Sequence, residues 1–228
     1  MKPIAAITKV DQVRQAILEL IFSGTLLPGQ RLVEARLAHE LGVAQATINL
    51  ALQILDDQGI VTKILNRSTN VSRYTASEIE NLFSVRLILE PAAAAAASRK
   101  LTREGREALE RHVDGMKRAA VAADLPRFCL ADYNFHQELY RMTENPVLVQ
   151  ACQAIAVAPF AYILCGTPSA LPTDYASLAE DHQQVIDALC AGPETAERIV
   201  RARIADWRLH SVRVLESIDE NEKTYACL

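Results

Sequence analysis

Apolar side chains recur every three to four residues in three segments near the N-terminus, a spacing typical of amphipathic helices. The segments are residues 7–22, 32–41 and 45–58. Gly42 and Gly59 follow the second and third segments, where a glycine commonly ends a helix. The pattern predicts three short helices.

A different pattern follows the third helix. Residues 60–65 are rich in β-branched side chains and alternate in the way typical of a strand. Residues 66–68 are predicted to form a tight turn, and residues 69–72 a second strand that returns along the first. Three helices and a small β-ribbon make a winged helix-turn-helix, which presents the start of its third helix to the major groove of DNA. A winged helix that only contacts other proteins is the alternative that the pattern leaves open.

From residue 75 onward the pattern predicts helices only, so the fold is mainly α, with an all-α helical bundle after the winged helix-turn-helix. The candidate helices are residues 77–100, 102–123, 125–144, 147–165, 175–191 and 194–218. Residues 166–173, which include two prolines, are predicted to be a mobile loop. We place the domain boundary so that residues 1–74 bind DNA and residues 75–228 bind the effector and dimerise.

Charge and cysteine content narrow the class of protein. The net charge of −4 argues against a protein that coats nucleic acid indiscriminately. Residues 1–73 carry eight Lys and Arg against six Asp and Glu, so the N-terminal part is slightly basic. The five cysteines form no CxxC pair, no signal peptide is evident, and the apolar stretch at 151–165 is too short to span a bilayer. We therefore expect a cytoplasmic protein with reduced thiols and no membrane partner.

Several runs of residues resemble the GntR family of bacterial regulators. They are LLPGQRLVEARLA at residues 26–38, LGV at 41–43, ALQIL at 51–55 and GIV at 59–61. Residues 85–90, VRLILE, resemble the start of the helical effector domain, called FCD, of the FadR-type subgroup. The resemblance implies a transcription regulator, more commonly a repressor, that binds double-stranded DNA at a palindromic operator as a homodimer and responds to a small-molecule effector.

The same resemblance implies a set of DNA contacts on the third helix and the wing. Gln45 and Asn49 stand where the family usually has arginines, and Ser68 stands where its wing usually has glycine. Because Gln and Asn suit the N6/N7 edge of adenine, we expect an operator that favours A·T pairs, with weaker phosphate anchoring than in relatives. A regulator that has lost direct DNA reading is the alternative. The candidate DNA-binding residues are Arg36, Gln45, Ala46, Thr47, Asn49, Lys63, Arg67 and Ser68.

Asp132 and His136 lie four residues apart on a predicted helix, so both side chains can point at one centre. In metal-binding FCD domains such a pair combines with a histidine from each of two later helices. The resemblance places His182 at the third ligand position and Ile204 at the fourth. We expect Asp132, His136 and His182 to hold one divalent ion, Zn, Ni or Mn, with water completing the shell. The alternative is a metal-free pocket whose histidines bind the effector.

Arg86 resembles the arginine that points into the effector pocket of relatives, where its planar fork would suit a carboxylate. The expected effector is therefore a small organic acid. Tyr133, Asn134 and Tyr140 are further candidates for the lining of this pocket.

A metal-dependent enzyme built on Asp132, His136 and His182 is an alternative from another class, because a bound ion acidifies water. The sequence has no HExxH helix motif, no nucleophile elbow and no phosphate-binding glycine loop. We therefore expect no enzymatic activity. A metal at this position would either help to bind the effector or stabilise the fold.

Overall fold

The three helices predicted near the N-terminus are confirmed. The computed structural model describes residues 8–64, 68–155 and 174–225, and their side chains except at residues 210 and 212–225. Its first helices are α1 (Lys9–Phe22), α2 (Glu34–Leu41) and α3 (Gln45–Asp57). Their inward faces form one core, in which the largest fully buried side chains are Ile17, Leu18, Ile48, Leu52 and Leu55.

Three short strands complete the winged unit. They are β1 (Arg31–Leu32), β2 (Val61–Ile64) and β3 (Ser68–Val71). The sheet is antiparallel with the order β1-β3-β2, so β2 and β3 are the predicted ribbon. The resulting arrangement of three helices and a small sheet confirms the winged helix-turn-helix.

Strand β1 corrects the sequence prediction, which placed residue 32 in the second helix. Leu32 pairs with Thr69 of β3 and buries its side chain in the core, and the helix begins only at Glu34. Pairing across the sheet therefore decides the conformation of this segment. Two of the three predicted turn residues, Asn66 and Arg67, lie outside the described residues.

The rest of the described chain is helical, as predicted. Its helices are α4 (Ala76–Ser98), α5 (Arg103–Val121), α6 (Leu125–Arg141), α7 (Pro146–Ile155), α8 (Tyr175–Ala191) and α9 (Pro193–Tyr225). Helix α4 packs along α9, while α5 packs against α6 and α8. The end of the helix predicted at 147–165 and the loop predicted at 166–173 lie outside the described residues. None of the described helices is both long and apolar enough to cross a membrane.

Helix α4 combines a polar start with a tightly packed second half. It begins at a capping box in which Thr75 accepts from the Glu78 backbone and Glu78 accepts from the Thr75 backbone. In the second half, Ala93, Ala94 and Ala97 are completely buried. Small side chains at these positions allow neighbouring helices to approach α4 closely, because no long side chain separates the backbones.

The winged unit and the helical bundle meet through α6. Helix α1 packs against α6, and Tyr133 of α6 donates a hydrogen bond of 2.8 Å to the side-chain oxygen of Gln58. Both side chains are buried, and Gln58 is the residue that caps the C-terminal end of α3. A polar contact inside the protein thus joins the bundle to the end of the third helix.

Candidate DNA interface and ligand site

The start of α3 is open to solvent. Gln45, Ala46 and Asn49 are exposed and Thr47 is half-buried, while Ile48 between them is fully buried in the core. Gln45 and Asn49 are one turn apart, so both lie on the outer face of the helix. A DNA duplex can therefore reach both side chains without any rearrangement of the winged unit.

Glu34 connects these two polar side chains. The amide nitrogen of Gln45 donates to one carboxylate oxygen of Glu34 over 3.3 Å, and the amide nitrogen of Asn49 donates to the other over 3.0 Å. Glu34 is the first residue of α2 and is half-buried. Sequence reasoning missed Glu34, because it lies 11 and 15 residues from its partners and becomes a neighbour only when α2 folds against α3.

An open groove runs from the start of α3 to the wing and brings several predicted residues together. Gln45, Lys63 and Ser68 all line it, together with Arg31 and Glu34, which sequence reasoning did not single out. The two cations bring positive charge to a lining that also holds the acids Glu34 and Asp56, and phosphate contacts would come from the cations. The groove is thus a surface on which the backbone of a duplex could lie.

Two further predicted cations differ in position. Arg36 is exposed on α2, outside the groove lining, and forms an ion pair of 2.7 Å with Glu40. Its side chain is 77% exposed, so the pair does not shield Arg36 from a ligand. Arg67 lies outside the described residues.

A cavity in the helical bundle collects the predicted metal ligands and Arg86. It is bounded by α4, α6, α8 and α9. Its polar lining is Arg86, Glu90, Asp132, His136, Asp181, His182 and Arg203, and its apolar lining is Phe135, Leu139, Val185, Val200, Ile204 and Trp207. An apolar wall with a few converging polar groups is the usual composition of a small-molecule site.

Asp132, His136 and His182 converge in this cavity as the sequence predicted. One ligand atom from each residue lies within 4.8 Å of the other two. The Nε2 atom of His182 is 2.8 Å from Oδ1 of Asp132, and Nε2 of His136 is 3.9 Å from the same oxygen. One carboxylate oxygen and two imidazole nitrogens at these separations form a donor set suited to a divalent transition metal.

The tautomer of His182 is fixed by its own helix. Its Nδ1 atom lies 2.8 Å from the carbonyl oxygen of Leu178, which can only accept, so Nδ1 carries the proton. The Nε2 atom that faces the buried Oδ1 of Asp132 then carries a second proton and donates it when the ring is charged, and presents a lone pair when the ring is neutral. Two lone pairs that face each other need a proton or a cation between them. The residues present therefore fit a metal ion, with Leu178 as the outer partner that orients the ligand.

The charges within this group stabilise one another. Burial alone would raise the pKa of Asp132, but the hydrogen bond and positive charge of His182 outweigh it, and the pKa is lowered. Burial alone would lower the pKa of His182, but its contact with Asp132 raises it. Burial lowers the pKa of His136, so this imidazole is held in the neutral form that binds metal.

Ile204 lies in the cavity wall, with an exposed fraction of 4%. An apolar side chain thus faces the site at the position where the family resemblance implies a fourth ligand. Isoleucine offers no lone pair, so a metal ion here would have three protein ligand atoms from the described residues, and water or an effector group would have to complete its shell.

Both guanidinium groups of the cavity are already paired. Arg86 is buried and donates through Nε and Nη2 to the carboxylate of Glu90, while its Nη1 is buried without a hydrogen-bond partner among the described residues. Arg203 contacts Asp181 over 2.7 Å. Arg86 therefore offers one unpaired nitrogen, Nη1, to a ligand, rather than the free fork that the sequence suggested.

The other residues predicted for the effector pocket lie elsewhere. Tyr133 faces Gln58 and the winged unit, Tyr140 is fully buried, and Asn134 is half-buried; none of the three is in the cavity lining. The lining residues that sequence reasoning missed include Asp181 and Arg203. Each is a sequence neighbour of a residue already singled out, His182 or Ile204, which was the one available signal.

Known proteins resemble this chain over both units. Residues 9–71 match the model of the bacterial regulatory proteins of the gntR family, and residues 81–206 match the FCD domain. The chain is 29% identical over 207 residues to a Paenarthrobacter nicotinovorans protein described as "Probable D-xylose utilization operon transcriptional repressor", covering 90% of each chain. It is 25% identical over 167 residues to the gluconate operon transcriptional repressor of Bacillus licheniformis, covering 73% of this chain and 67% of the repressor.

Solved structures share the fold. Escherichia coli McbR/YncC superposes with a TM-score of 0.69 at 19% identity, covering 93% of this chain and 99% of that chain. The match to the family model and the named repressors class the chain as a DNA-binding transcription regulator. The chain belongs to the GntR family and carries an FCD effector domain.

Proposed function

We propose that this regulator is a homodimeric repressor that reads a palindromic operator through α3 and releases it when a small organic acid binds the FCD cavity. The observation that carries the proposal is the exposed pair Gln45 and Asn49 at the start of α3, above a fully buried Ile48. A recognition helix needs this combination of a fixed inner face and an open polar outer face.

The contacts to DNA would come from two surfaces. Gln45, Ala46, Thr47 and Asn49 would face base edges, while Arg36, Lys63, Arg67 and Ser68 would lie along the backbone. On a two-fold symmetric dimer the two recognition helices would meet two half-sites of a palindrome. The working domain boundary is between residues 74 and 75, since the capping box at Thr75 starts the first bundle helix directly after the winged unit.

The cavity supports an acidic effector held by a metal and by Arg86. Asp132, His136 and His182 would bind one divalent ion, which supplies positive charge to a ligand carboxylate when it is bound. The unpartnered Nη1 of Arg86 is the second donor. One relative is named for the operon of gluconate, a sugar acid, so sugar acids are the first organic acids to test.

Helix α6 provides a route from the cavity to the DNA-binding unit. It presents Asp132 and His136 to the cavity, and Tyr133, between them in sequence, binds Gln58 at the end of α3. A ligand that moves Asp132 would therefore also move Tyr133, because both belong to one helix. We propose that a shift of α6 changes the position of α3 in each protomer and so weakens operator binding.

The test is a selection of bound fragments from random duplex DNA, first with the metal-loaded protein alone and then with a pool of sugar acids and other organic acids. The proposal expects a palindromic sequence in the first selection and its loss in the second. A folded protein that enriches no sequence at low salt would overturn DNA reading and favour a regulator that acts through a partner. Enrichment that no acid weakens would overturn the proposed effector class.

A further inference from the structure

We infer that Glu34 is a positioning residue for sequence reading: it locks the amides of Gln45 and Asn49 with their adenine-reading edges outward. The inference rests on the proposed function, since it concerns how α3 reads bases. Each of the two carboxylate oxygens of Glu34 receives one amide, at 3.3 Å from Gln45 and at 3.0 Å from Asn49. One side chain thus fixes both of the amide groups that are exposed at the start of α3.

The direction of each amide follows from hydrogen-bond chemistry. A carboxylate can only accept, so both amides must turn their nitrogen towards Glu34 and their oxygen away from it. Neither amide oxygen accepts a hydrogen bond within the part of the chain that the structure describes. Without Glu34 each amide could rotate by half a turn, and would then present nitrogen and oxygen to DNA in either arrangement.

The locked arrangement matches adenine. A primary amide has two N–H groups, one on the side of its oxygen and one on the far side. Adenine is read by an amide oxygen that accepts from N6 and an N–H that donates to N7, both on the same side of the amide. The far N–H then remains for Glu34, so one amide can satisfy both partners at once.

Glu34 improves discrimination between bases, but it should also lower the affinity for DNA as a whole. Its carboxylate lies in the groove that Lys63 and Ser68 line, where DNA phosphates would approach. A negative charge at this position repels every duplex regardless of sequence. Removing the charge should therefore strengthen binding to random DNA and weaken discrimination between bases. Neither a loss of folding nor a loss of charge alone would produce both changes.

The test uses the full-length protein and the duplex that it selects from random DNA. Dissociation constants are measured by fluorescence anisotropy for the selected duplex, for duplexes with single A·T pairs of the half-site changed to G·C, and for a random duplex. Glu34→Gln is compared with wild type. Asp57→Asn is the matched control, because Asp57 is also an exposed acid that accepts from a glutamine amide, that of Gln53, over 3.1 Å.

We expect Glu34→Gln to reduce discrimination at one or two A·T pairs by roughly tenfold, the size of one bidentate base contact. Binding to random DNA should become tighter. Asp57→Asn should leave discrimination unchanged. In a Gln45→Ala/Asn49→Ala background, Glu34→Gln should no longer change discrimination, because the side chains through which Glu34 acts are gone.

Three results would overturn the inference. Undiminished discrimination in Glu34→Gln, with tighter binding to every duplex, would make Glu34 a repulsive charge only. Selection by wild type of half-sites without a critical A·T pair would refute the adenine edge and leave the proposed function standing. Absence of any sequence selection would overturn both. Circular dichroism verifies folding, and Glu34→Ala gives the same test if the glutamine variant is unstable.

Discussion

The Tyr133 hydroxyl donates a 2.8 Å hydrogen bond to the side-chain oxygen of Gln58, across the junction between the helical bundle and the winged unit. Both side chains are buried, with exposed fractions of 1% and 5%. Tyr133 is adjacent in sequence to Asp132, which lies in the ligand cavity, and Gln58 ends the helix that carries Gln45 and Asn49. The contact therefore joins, through one buried hydrogen bond, the helix that lines the cavity and the helix that carries the candidate base contacts.

Tyr133→Phe should destabilise the protein by about 1–3 kcal/mol, because it leaves the buried Gln58 oxygen without a donor. Denaturation in urea measures the change. Tyr140→Phe on the same helix is the matched control: its hydroxyl is buried without a hydrogen-bond partner among the described residues, so its removal should cause no loss. Equal losses in both variants would show that the Tyr133 contact adds nothing specific.

The same variant tests the coupling route. If α6 carries the signal, Tyr133→Phe should reduce the change in operator affinity that effector binding produces, while the cavity still binds its ligand. Titrations of operator DNA with and without effector give the coupling, and calorimetry gives effector binding. If Tyr133→Phe kept the full effect of the effector on operator affinity, the signal would not pass through this contact, and α4, which carries Arg86, would be the next candidate route.

Metal content provides a third prediction. The protein exchanged into buffer with excess Zn²⁺ should retain about one ion per chain, on three protein ligands. His182→Ala should lower the affinity for Zn²⁺ at least about tenfold, since even outer partners of metal ligands contribute that much. His112→Ala, a half-buried histidine on α5 outside the triad, should not.

Ile204→His adds a metal ligand at the position where the family resemblance implies a fourth one. Ile204 lies in the cavity wall, so an imidazole there would enter the site. We expect tighter Zn²⁺ binding than in wild type, measured by competition with a chromogenic chelator. A variant that folds normally and binds Zn²⁺ no better would show that position 204 does not face the ligand atoms.

The capping box of α4 predicts a pH-dependent stability. Hydrogen bonds from the Thr75 backbone and side chain lower the pKa of Glu78 from its usual 4.5. A lowered pKa in the folded state means that this stabilisation is present above pH 4.5 and is lost as the pH falls through the lowered value. Thr75→Ala should remove about 1 kcal/mol at neutral pH, and the difference from wild type should shrink in acid.

Thr102 provides the control for that experiment. Its side chain caps α5 by accepting a hydrogen bond from the backbone of Gly105, and no acidic side chain returns a bond to the Thr102 backbone as Glu78 does at Thr75. Thr102→Ala should destabilise the protein by a similar amount, with no dependence on a carboxyl pKa. Urea denaturation of both variants over a pH series gives the comparison, and parallel curves would exclude a contribution from Glu78.

The buried alanines of α4 predict a size limit. Ala94→Leu should destabilise the protein by about 1–3 kcal/mol, because its site is completely buried and a larger side chain would displace its neighbours. Ala92→Leu, two residues earlier on the exposed side of the same helix, should change stability by no more than about 0.5 kcal/mol. Urea denaturation distinguishes the two, and a tolerated leucine at 94 would disprove close packing there.

Periodicity was sufficient for most of the fold because amphipathic helices show their inner face in the sequence. Ile48, Leu52 and Leu55 are spaced by one turn, and all three are fully buried. Strand β1 escaped this reasoning, since two residues are too few to show any alternation. Its conformation depends on pairing with Thr69, which no local pattern reveals.

The candidate sites were predictable only where residues share a helix face. Asp132 and His136 are one turn apart and both reach the cavity, whereas Tyr133 points about 100° away and reaches Gln58 instead. The pairing of Arg86 with Glu90 also follows helical spacing, but its consequence for a ligand depends on burial, which the sequence does not show. The Glu34 contact depends on the packing of α2 against α3.

The carbonyl of Leu178 has a consequence for the speed of ligand capture. Because the ring of His182 is hydrogen-bonded to its own helix, its orientation is fixed when α8 folds and does not depend on a ligand in the cavity. A metal ion that entered the cavity would meet an Nε2 atom that is already oriented, so binding would cost little side-chain entropy. Capture should then proceed at a rate set by entry and by water loss from the ion, rather than by rearrangement of the protein.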